Sequence, residues 1–377
     1  MLVKVPLCLD GRMLAARATG VATYARTVRA ALAEVGSPPL ILDDAARGRF
    51  GDPRGKWRRW WRARSSAPVQ LMAEPGALFA PDVFALAQAR FARTGQVLRL
   101  HAPGPPGVIH WTYPVAAAIE GWRNLYTIHD VIPLTHPELV DTDPAALRAR
   151  LDALRPYAAG YLTVSEHSRG EIARTLGLDP ARVVSAGLAV EPPPVAGPPP
   201  AGLTAGSYFV FHGLAEPRKN LPRVVDAWRA SGSARALVIA GPDGGEVLDL
   251  KGAIRLPYLG RAELIALVAG ARALVFPSLA EGFGLPIAEA MALGTPVLTS
   301  DEGACAETAG GAALLVPPTE VEAIAAAMRR LDRDDALCAG LRRAGLVRAK
   351  AAFGLQAFGE RLLCAYADLI GDSGVAP

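Results

Sequence analysis

The sequence predicts an α/β protein made of two doubly wound, parallel-sheet domains that face each other across a cleft. Three observations carry the prediction. Short apolar, β-prone segments alternate with helix-period segments along nearly the whole chain, which is the pattern of βαβ units. The 377 residues suit two medium domains, each large enough for its own core. Two such blocks are separated by AVEPPPVAGPPPAGLTAG, residues 189–206, whose prolines lack backbone donors and suit a semi-rigid connector. The expected division is therefore residues 1–188, a linker over 189–206, and residues 207–377.

Taken in order, the first block offers candidate strands at residues 2–9, 107–112, 125–128, 160–164 and 182–185. In the second block they fall at 208–212, 236–240, 273–276 and 296–300. Residues 320–331, 337–349 and 355–370 carry apolar positions at three- and four-residue spacing and read as helices closing the second domain. The last of them is a candidate to pack back on the first domain. Ligands are expected in the cleft, at the carboxyl ends of the strands.

Charge is concentrated in one place. The chain has 40 Lys and Arg against 36 Asp and Glu, and five of those cations lie in KWRRWWRAR, residues 56–64. Without them thirty-five cations face thirty-six carboxylates, so a general nucleic-acid-coating surface is excluded. Trp57, Trp60 and Trp61 share one helical face, with Lys56, Arg58 and Arg59 around the others. Two readings stay open, an interfacial helix at an anionic bilayer on the acceptor side or a core-facing Trp stripe with solvated cations; nucleic-acid binding by the patch is a weaker third, because the rest of the chain has no positive excess.

The four cysteines form no CxxC or Cys/His cluster, so no metal site is expected and a reducing cytoplasm is the natural compartment. The N-terminal residues do not read as a signal peptide. No apolar run approaches the ~18 residues that span a bilayer, which leaves a protein that at most lies on the inner face of the plasma membrane.

The chemistry points first to FPSLAEGFGLPIAEAMALGTPVLTS, residues 276–300. A strand ends at Pro-Ser, a loop carries Gly282 and Gly284, Pro286 suits the first helical turn and Gly294 ends the helix. Glycines allow close backbone approach, and the free N–H groups of the helix start favour anionic or hydroxyl-rich groups. Glu281 and Glu289 flank that start, placed to hold vicinal hydroxyls, although ordinary solvated glutamates fit the same pattern. Upstream, FVFHGLAEPRKNLPRVVDAW, residues 209–228, sets Arg218 and Lys219 beside a helix that Asn220 is expected to N-cap.

These segments resemble family 4 retaining glycosyltransferases of the GT-B fold. The EGFGLPIAEAMALGTPV segment is similar to that family's E-x7-E region, and the EPRKN loop to its diphosphate-binding loop. The resemblance implies a metal-independent enzyme without a cofactor, whose co-substrate is a nucleotide-diphosphate sugar. Carried over, Glu289 holds the ribose, while Glu281 with the loop of Gly282, Phe283, Gly284 and Leu285 meets the donor sugar. Gly213, Arg218 and Lys219 face the diphosphate. LYTIHDVIPLTHPE, residues 125–138, resembles the H-D-x-x-P-L element of a subgroup rich in mannosyl- and other hexosyltransferases, which assigns His129 and Asp130 to the donor-sugar pocket and leaves His136 and Glu138 structural or acceptor-loop roles.

TGVATYARTVRAAL, residues 19–32, is similar to the family's first glycine loop; Gly20 matches, whereas Ala22 stands at its second glycine. In LTVSEHSRGEI, residues 162–172, Ser165 or Ser168 is expected to cap a helix, with Ser168 and Glu171 as a capping box.

The resemblance thus implies catalytic roles for His129, Asp130, Arg218, Lys219 and Glu281. It points to transfer of a hexose, mannose from GDP-mannose first, to a polyprenyl-diphosphate-linked or oligosaccharide acceptor in bacterial surface polysaccharide assembly. A UDP- or dTDP-sugar donor, a related epimerase or phosphorylase, and a non-catalytic nucleotide-sugar or glycan-binding scaffold are the alternatives.

Overall fold

The computed structural model describes residues 5–15, 20–44, 63–65, 67–191, 197–200, 202–242 and 249–371. In chain order the first domain contributes β1 (Leu7–Asp10), α1 (Gly20–Glu34), β2 (Leu40–Asp43), β3 (Val69–Gln70), β4 (Met72–Glu74), β5 (Ala77–Phe79), α2 (Val83–Thr94), β6 (Leu98–His101), β7 (Val108–Trp111), β8 (Ala117–Ile119), β9 (Arg123–Thr127), α3 (Ile132–Thr135), α4 (Pro144–Leu154), β10 (Ala158–Thr163), α5 (Glu166–Leu176) and β11 (Val183–Ser185). Its main sheet has the order β11-β10-β9-β7-β1-β2-β5-β4, parallel except for the β4–β5 edge. A small parallel sheet, β3-β6-β8, lies apart from it.

The second domain contributes β12 (Tyr208–His212), α6 (Leu221–Ser231), β13 (Ala236–Ala240), β14 (Ile254–Arg255), α7 (Arg261–Gly270), β15 (Ala273–Phe276), α8 (Leu285–Ala292), β16 (Val297–Ser300), α9 (Gly303–Ala309), β17 (Leu314–Val316), α10 (Val321–Arg333), α11 (Asp335–Ala352) and α12 (Leu355–Ile370). Its six strands are all parallel, in the order β14-β13-β12-β15-β16-β17. Helices cover both faces, so the strands are apolar at consecutive positions; Phe209, Val210 and Phe211 are all fully buried.

The structure therefore has the two doubly wound parallel-sheet domains that the alternating pattern predicts. In the second domain β12, β13 and β15 have the anticipated bounds, whereas α10 and α11 run slightly beyond the expected helices. Of the strand anticipated at residues 2–9, residues 2–4 lie outside the described residues, and β1 spans Leu7–Asp10. Strands β2, β3, β4, β5, β6, β8, β14 and β17 escape the sequence reading because each is two to four residues long and shows no period of its own. Cys8, Cys305 and Cys338 are buried free thiols and Cys364 is exposed.

Chain passage between the domains is abrupt. Ala189 lies in the first domain's core and Val190 in the second's, where the Val190 N–H donates to the Phe353 carbonyl at 3.0 Å. The chain then returns: Phe353 belongs to the second core, but Phe358, Leu362 and Tyr366 of α12 are fully buried among Tyr24, Val28 and Leu32 of the first. Each such large side chain stabilises the seat of α12 by ~1.5–3 kcal/mol. Tyr366 also bonds His110 Nδ1 at 2.7 Å, and the other ring nitrogen of His110 bonds Thr127 Oγ1 at 2.7 Å.

Candidate active site

In the second sheet, β12 and β15 are neighbours although two strands separate them in sequence, so the winding direction reverses between them. Loops leaving the carboxyl ends of such a pair diverge and open a crevice. Those loops are residues 213–220, after β12, and residues 277–284, after β15. Asn220 ties them together. Its backbone is left-handed (φ 63°) and its side chain does not cap α6; Nδ2 instead donates to the carbonyls of Pro277 (2.9 Å) and Pro318 (2.6 Å). The expected N-cap is thus replaced by a buried staple, because the left-handed turn aims the amide across the loops.

Arg218 and Lys219 lie in this crevice under different constraints. The Arg218 guanidinium is held on both sides by carboxylates, Nε to Glu216 at 2.7 Å and Nη1 to Glu281 at 2.7 Å. Burial alone would depress its pKa, but Glu281 and Glu216 push it up. Ser278 Oγ donates to the Arg218 carbonyl at 2.8 Å and so clamps the β15 loop to the β12 loop. Lys219 is buried, its ammonium 5.7 Å from the Phe276 ring centroid, and burial pushes its pKa down. Gly213 is required beside it: its φ of 132° disfavours side chains, and a Cβ there would collide with Lys219 Nζ.

Gly284 (φ 93°) precedes α8, in whose first turn Pro286 has no N–H and Ile287 donates to the Gly284 carbonyl at 2.9 Å, so the Leu285 amide is the donor left at the helix start. The side chain of Phe283 packs edge-on against Phe353 at 5.7 Å, and its carbonyl accepts from Thr308 Oγ1, so both its ring and its carbonyl are engaged within the second domain. Leu285 is partly buried against both domains' cores. Glu289 is buried, and Arg261 Nη2 holds its Oε1 at 2.7 Å.

The first domain closes the site from the opposite side. His129 and Asp130 follow β9. Since a carbonyl can only accept, the 3.0 Å bond to the Thr112 carbonyl fixes the His129 proton on Nε2 and leaves Nδ1 as an acceptor. Burial pushes its pKa down to about 4, and Tyr24 of α1 packs edge-on at 4.9 Å. Asp130 accepts from the Ile132 N–H at 3.1 Å. Desolvation pushes its carboxyl up against the opposing pull of Arg218, which places Asp130 within electrostatic reach of the second domain's cation. A Cβ on Gly282 would stand 2.7 Å from the His129 carbonyl and 3.2 Å from Asp130 Cβ, so only glycine lets the two loops approach.

Further contacts hold the domains together. Ser165 and Ser168 both donate through Oγ to the Gly282 carbonyl, at 2.7 and 3.0 Å. The Glu307 carboxylate accepts the N–H groups of Glu166 and His167, each at 2.8 Å, at the start of α5. Ser165 is the cap of that helix, accepting from the Ser168 N–H; Ser168 supplies the donor, and Glu171 pairs with Arg174 instead of forming the anticipated capping box. Between the domains lies a polar cavity of about 320 Å³, lined by Asp130, His136, His167, Glu171, Glu281 and Glu302 among others. His136 and Glu138 are 3.5 Å apart at the surface.

The structure thus brings Gly213, Arg218, Lys219, Glu281, Gly282, Gly284 and Glu289 to one end of the second sheet, with His129 and Asp130 facing them. Gly20 begins α1, where an added Cβ would meet nothing within 4 Å; Tyr24, one turn on, reaches His129. Lys56, Trp57, Arg58, Arg59, Trp60 and Trp61 lie outside the described residues. Glu216, Ser278, Arg261 and Glu307 escape sequence reasoning. Only Glu216, inside the EPRKN run, carried a local signal; the others act over long sequence separations. A pair of neighbouring cations, the Leu285 amide, the partly buried Glu281 and the buried Glu289 equip this crevice to hold an anion at one end and hydroxyls at the other.

Comparison with known proteins agrees with this arrangement. Residues 206–334 match the family described as Glycosyl transferases group 1. The O-antigen chain mannosyltransferase B of Escherichia coli is 32% identical over 255 residues, 60% of this chain and 66% of that protein. The O-antigen chain mannosyltransferase RfbU of Salmonella typhimurium is 27% identical over 217 residues, 55% and 60% of the two chains. In both cases the match spans just under two thirds or less of the relative's length. Among solved structures, a sucrose-phosphate synthase from Thermosynechococcus elongatus has the same fold, with a TM-score of 0.67 at 20% identity over 97% of this chain and 99% of that one. The family match lies on the crevice-bearing domain and the likeness in fold extends over both, so residues 206–334 form a domain similar to the group 1 glycosyltransferases and the chain has the GT-B fold.

Proposed function

We propose that the protein transfers a hexosyl group, mannosyl first, from a nucleotide-diphosphate sugar, GDP-mannose first, to a lipid-linked or oligosaccharide acceptor in surface polysaccharide assembly. The observation that carries the reading is the convergence of Arg218, Lys219 and Glu281 at the β12/β15 crevice, directly across from His129 and Asp130. The mannosyl choice draws on the two mannosyltransferase relatives.

In this mechanism Arg218, Lys219 and the Leu285 amide at the start of α8 stabilise the charge that develops on the departing diphosphate. These fixed cations supply the electrostatic role that a metal ion plays elsewhere, so the reaction is written without one. The acceptor hydroxyl enters on the face the diphosphate leaves, passing its proton to a phosphate oxygen, and the sugar is transferred with retention. Glu281 and Glu289 orient donor hydroxyls, and His129 and Asp130 shape the sugar pocket. Closure of the domains excludes water that would otherwise hydrolyse the donor. Among the described residues no helix is long and apolar enough to cross a membrane. The Trp/Arg segment at residues 56–62 is assigned to peripheral contact with the anionic inner face, where a polyprenyl-linked acceptor would be met.

The test is a purified transfer assay with GDP-, UDP-, dTDP- and ADP-sugars, following acceptor-dependent release of nucleoside diphosphate. Lys219→Ala and Glu281→Ala should each lower turnover by about 10²-fold or more. Unchanged transfer by both variants would refute the catalytic reading and leave a binding scaffold.

A further inference from the structure

His212 is the last residue of β12, hydrogen-bonded into the centre of the second sheet and immediately before Gly213. It is 5% exposed, and its Nε2 is buried without a hydrogen-bond partner among the described residues. An unpaired buried polar atom costs ~1–3 kcal/mol, so such a group in a central strand calls for a partner that the described residues do not provide. The charged groups coupled to the imidazole are Glu289 from α8, Lys219 from the β12 loop and Arg261 from α7. Two of these, Glu289 and Lys219, are assigned above to the ribose and the diphosphate.

We infer that His212 is a donor-binding residue whose Nε2 completes its hydrogen bonding on the ribosyl-diphosphate portion of the bound nucleotide. The inference rests on the nucleotide-sugar reading of the crevice and adds to it a residue which no motif assigns. The chemistry of the neighbours sets the ligand class. The Glu289 carboxylate near the imidazole selects hydroxyls and the Lys219 ammonium near it selects phosphate, so the imidazole is assigned to the junction of sugar and phosphate. Burial pushes its pKa down to about 4, so in the free protein the ring is neutral and can donate from Nε2 without bringing a further charge beside Lys219 and Arg261.

The role predicts opposite effects on stability and affinity. His212→Leu removes an unsatisfied polar atom from the core, so the melting temperature should hold or rise, while the affinity for nucleoside diphosphate should fall about tenfold or more. His212→Gln, whose Nε2 reaches a similar position, should bind within a few-fold of wild type. The measurement is titration calorimetry of GDP, UDP, dTDP and ADP on the full chain, with thermal unfolding of each variant in parallel.

Wild-type binding with equal affinity in His212→Leu would overturn the inference and leave the nucleotide-sugar reading intact. A His212→Gln variant as weak as His212→Leu would also overturn it, since the donor atom would then be irrelevant. Failure of wild type to bind any of the four diphosphates would remove the nucleotide-sugar reading and this inference together. Should His212→Leu unfold, the stability half of the inference is refuted, and His212→Gln still reports on binding.

Discussion

The domain closure can be perturbed at Glu307, whose carboxylate crosses from the second domain to the start of α5 in the first. It accepts two N–H groups at 2.8 Å, and opening the domains must break both bonds. Bonds to an ionised acceptor reach ~1.5–3 kcal/mol when desolvated, but these amides lie at an exposed helix start and regain water on opening, so about 1 kcal/mol each is appropriate. Attraction between the carboxylate and the helix terminus adds ~0.3–1 kcal/mol. Glu307→Ala should therefore weaken the closed state by ~2–3 kcal/mol, about a 30- to 150-fold change in the closed-to-open ratio.

Small-angle scattering and interdomain dipolar spectroscopy would register the change as a larger radius of gyration and a broader distance distribution. The first domain should melt normally, because Ser165 still caps α5. Gly282→Ala should open the molecule by an independent route, since its Cβ meets the His129 carbonyl at 2.7 Å. If both variants remained as compact as wild type, the assignment of these contacts as the closure would be wrong.

Two further outcomes follow from charge and composition. Burial pushes His110 down to about 3 and His129 and His212 to about 4, so the stability gained by keeping them neutral is fully present above about 6.5 and is lost as pH falls through 4. Asp10, pushed up to about 6 by burial, works in the opposite sense, its contribution being lost as pH rises from about 4 to 6. Three histidines outweigh it, and urea midpoints measured from pH 7 to 4 should decline; a flat or rising profile would contradict the burial of these rings. Replacing Trp57, Trp60 and Trp61 by Ala should reduce co-sedimentation with anionic liposomes and leave nucleotide binding intact, whereas loss of folding would show that these indoles belong to a core.

The parts of the fold that were legible are those with local causes. Strands β12, β13 and β15 are continuous apolar runs because helices cover both their faces, and the glycine loop from Glu281 to Gly284 signals its turn through residue types alone. The site's charged ends were legible for the same reason, since Arg218, Lys219, Glu281 and Glu289 sit inside short runs. What was hidden depends on the other domain or on distant loops. Glu307 meets α5 across 140 and 141 residues of sequence. Arg261 reaches Glu289 from a neighbouring helix, and Asn220, read as a cap, turns left-handed to hold two prolines that follow other strands. His212 resembles any strand-end histidine until its lack of a partner among the described residues is visible.

The two chain crossings sit side by side. One passes between Ala189 and Val190, the other between Phe353 and Phe358, and the Val190–Phe353 hydrogen bond at 3.0 Å joins them. A single strand would let one domain swivel about any axis; a bonded pair bends across its width but resists torsion. The second domain is therefore expected to swing like a page on a spine, meeting His129 and Asp130 in the same register at each closure. Alignment of the cations with the sugar pocket is then inherited from the strap itself, and cutting the second crossing would leave both domains folded but no longer facing one another.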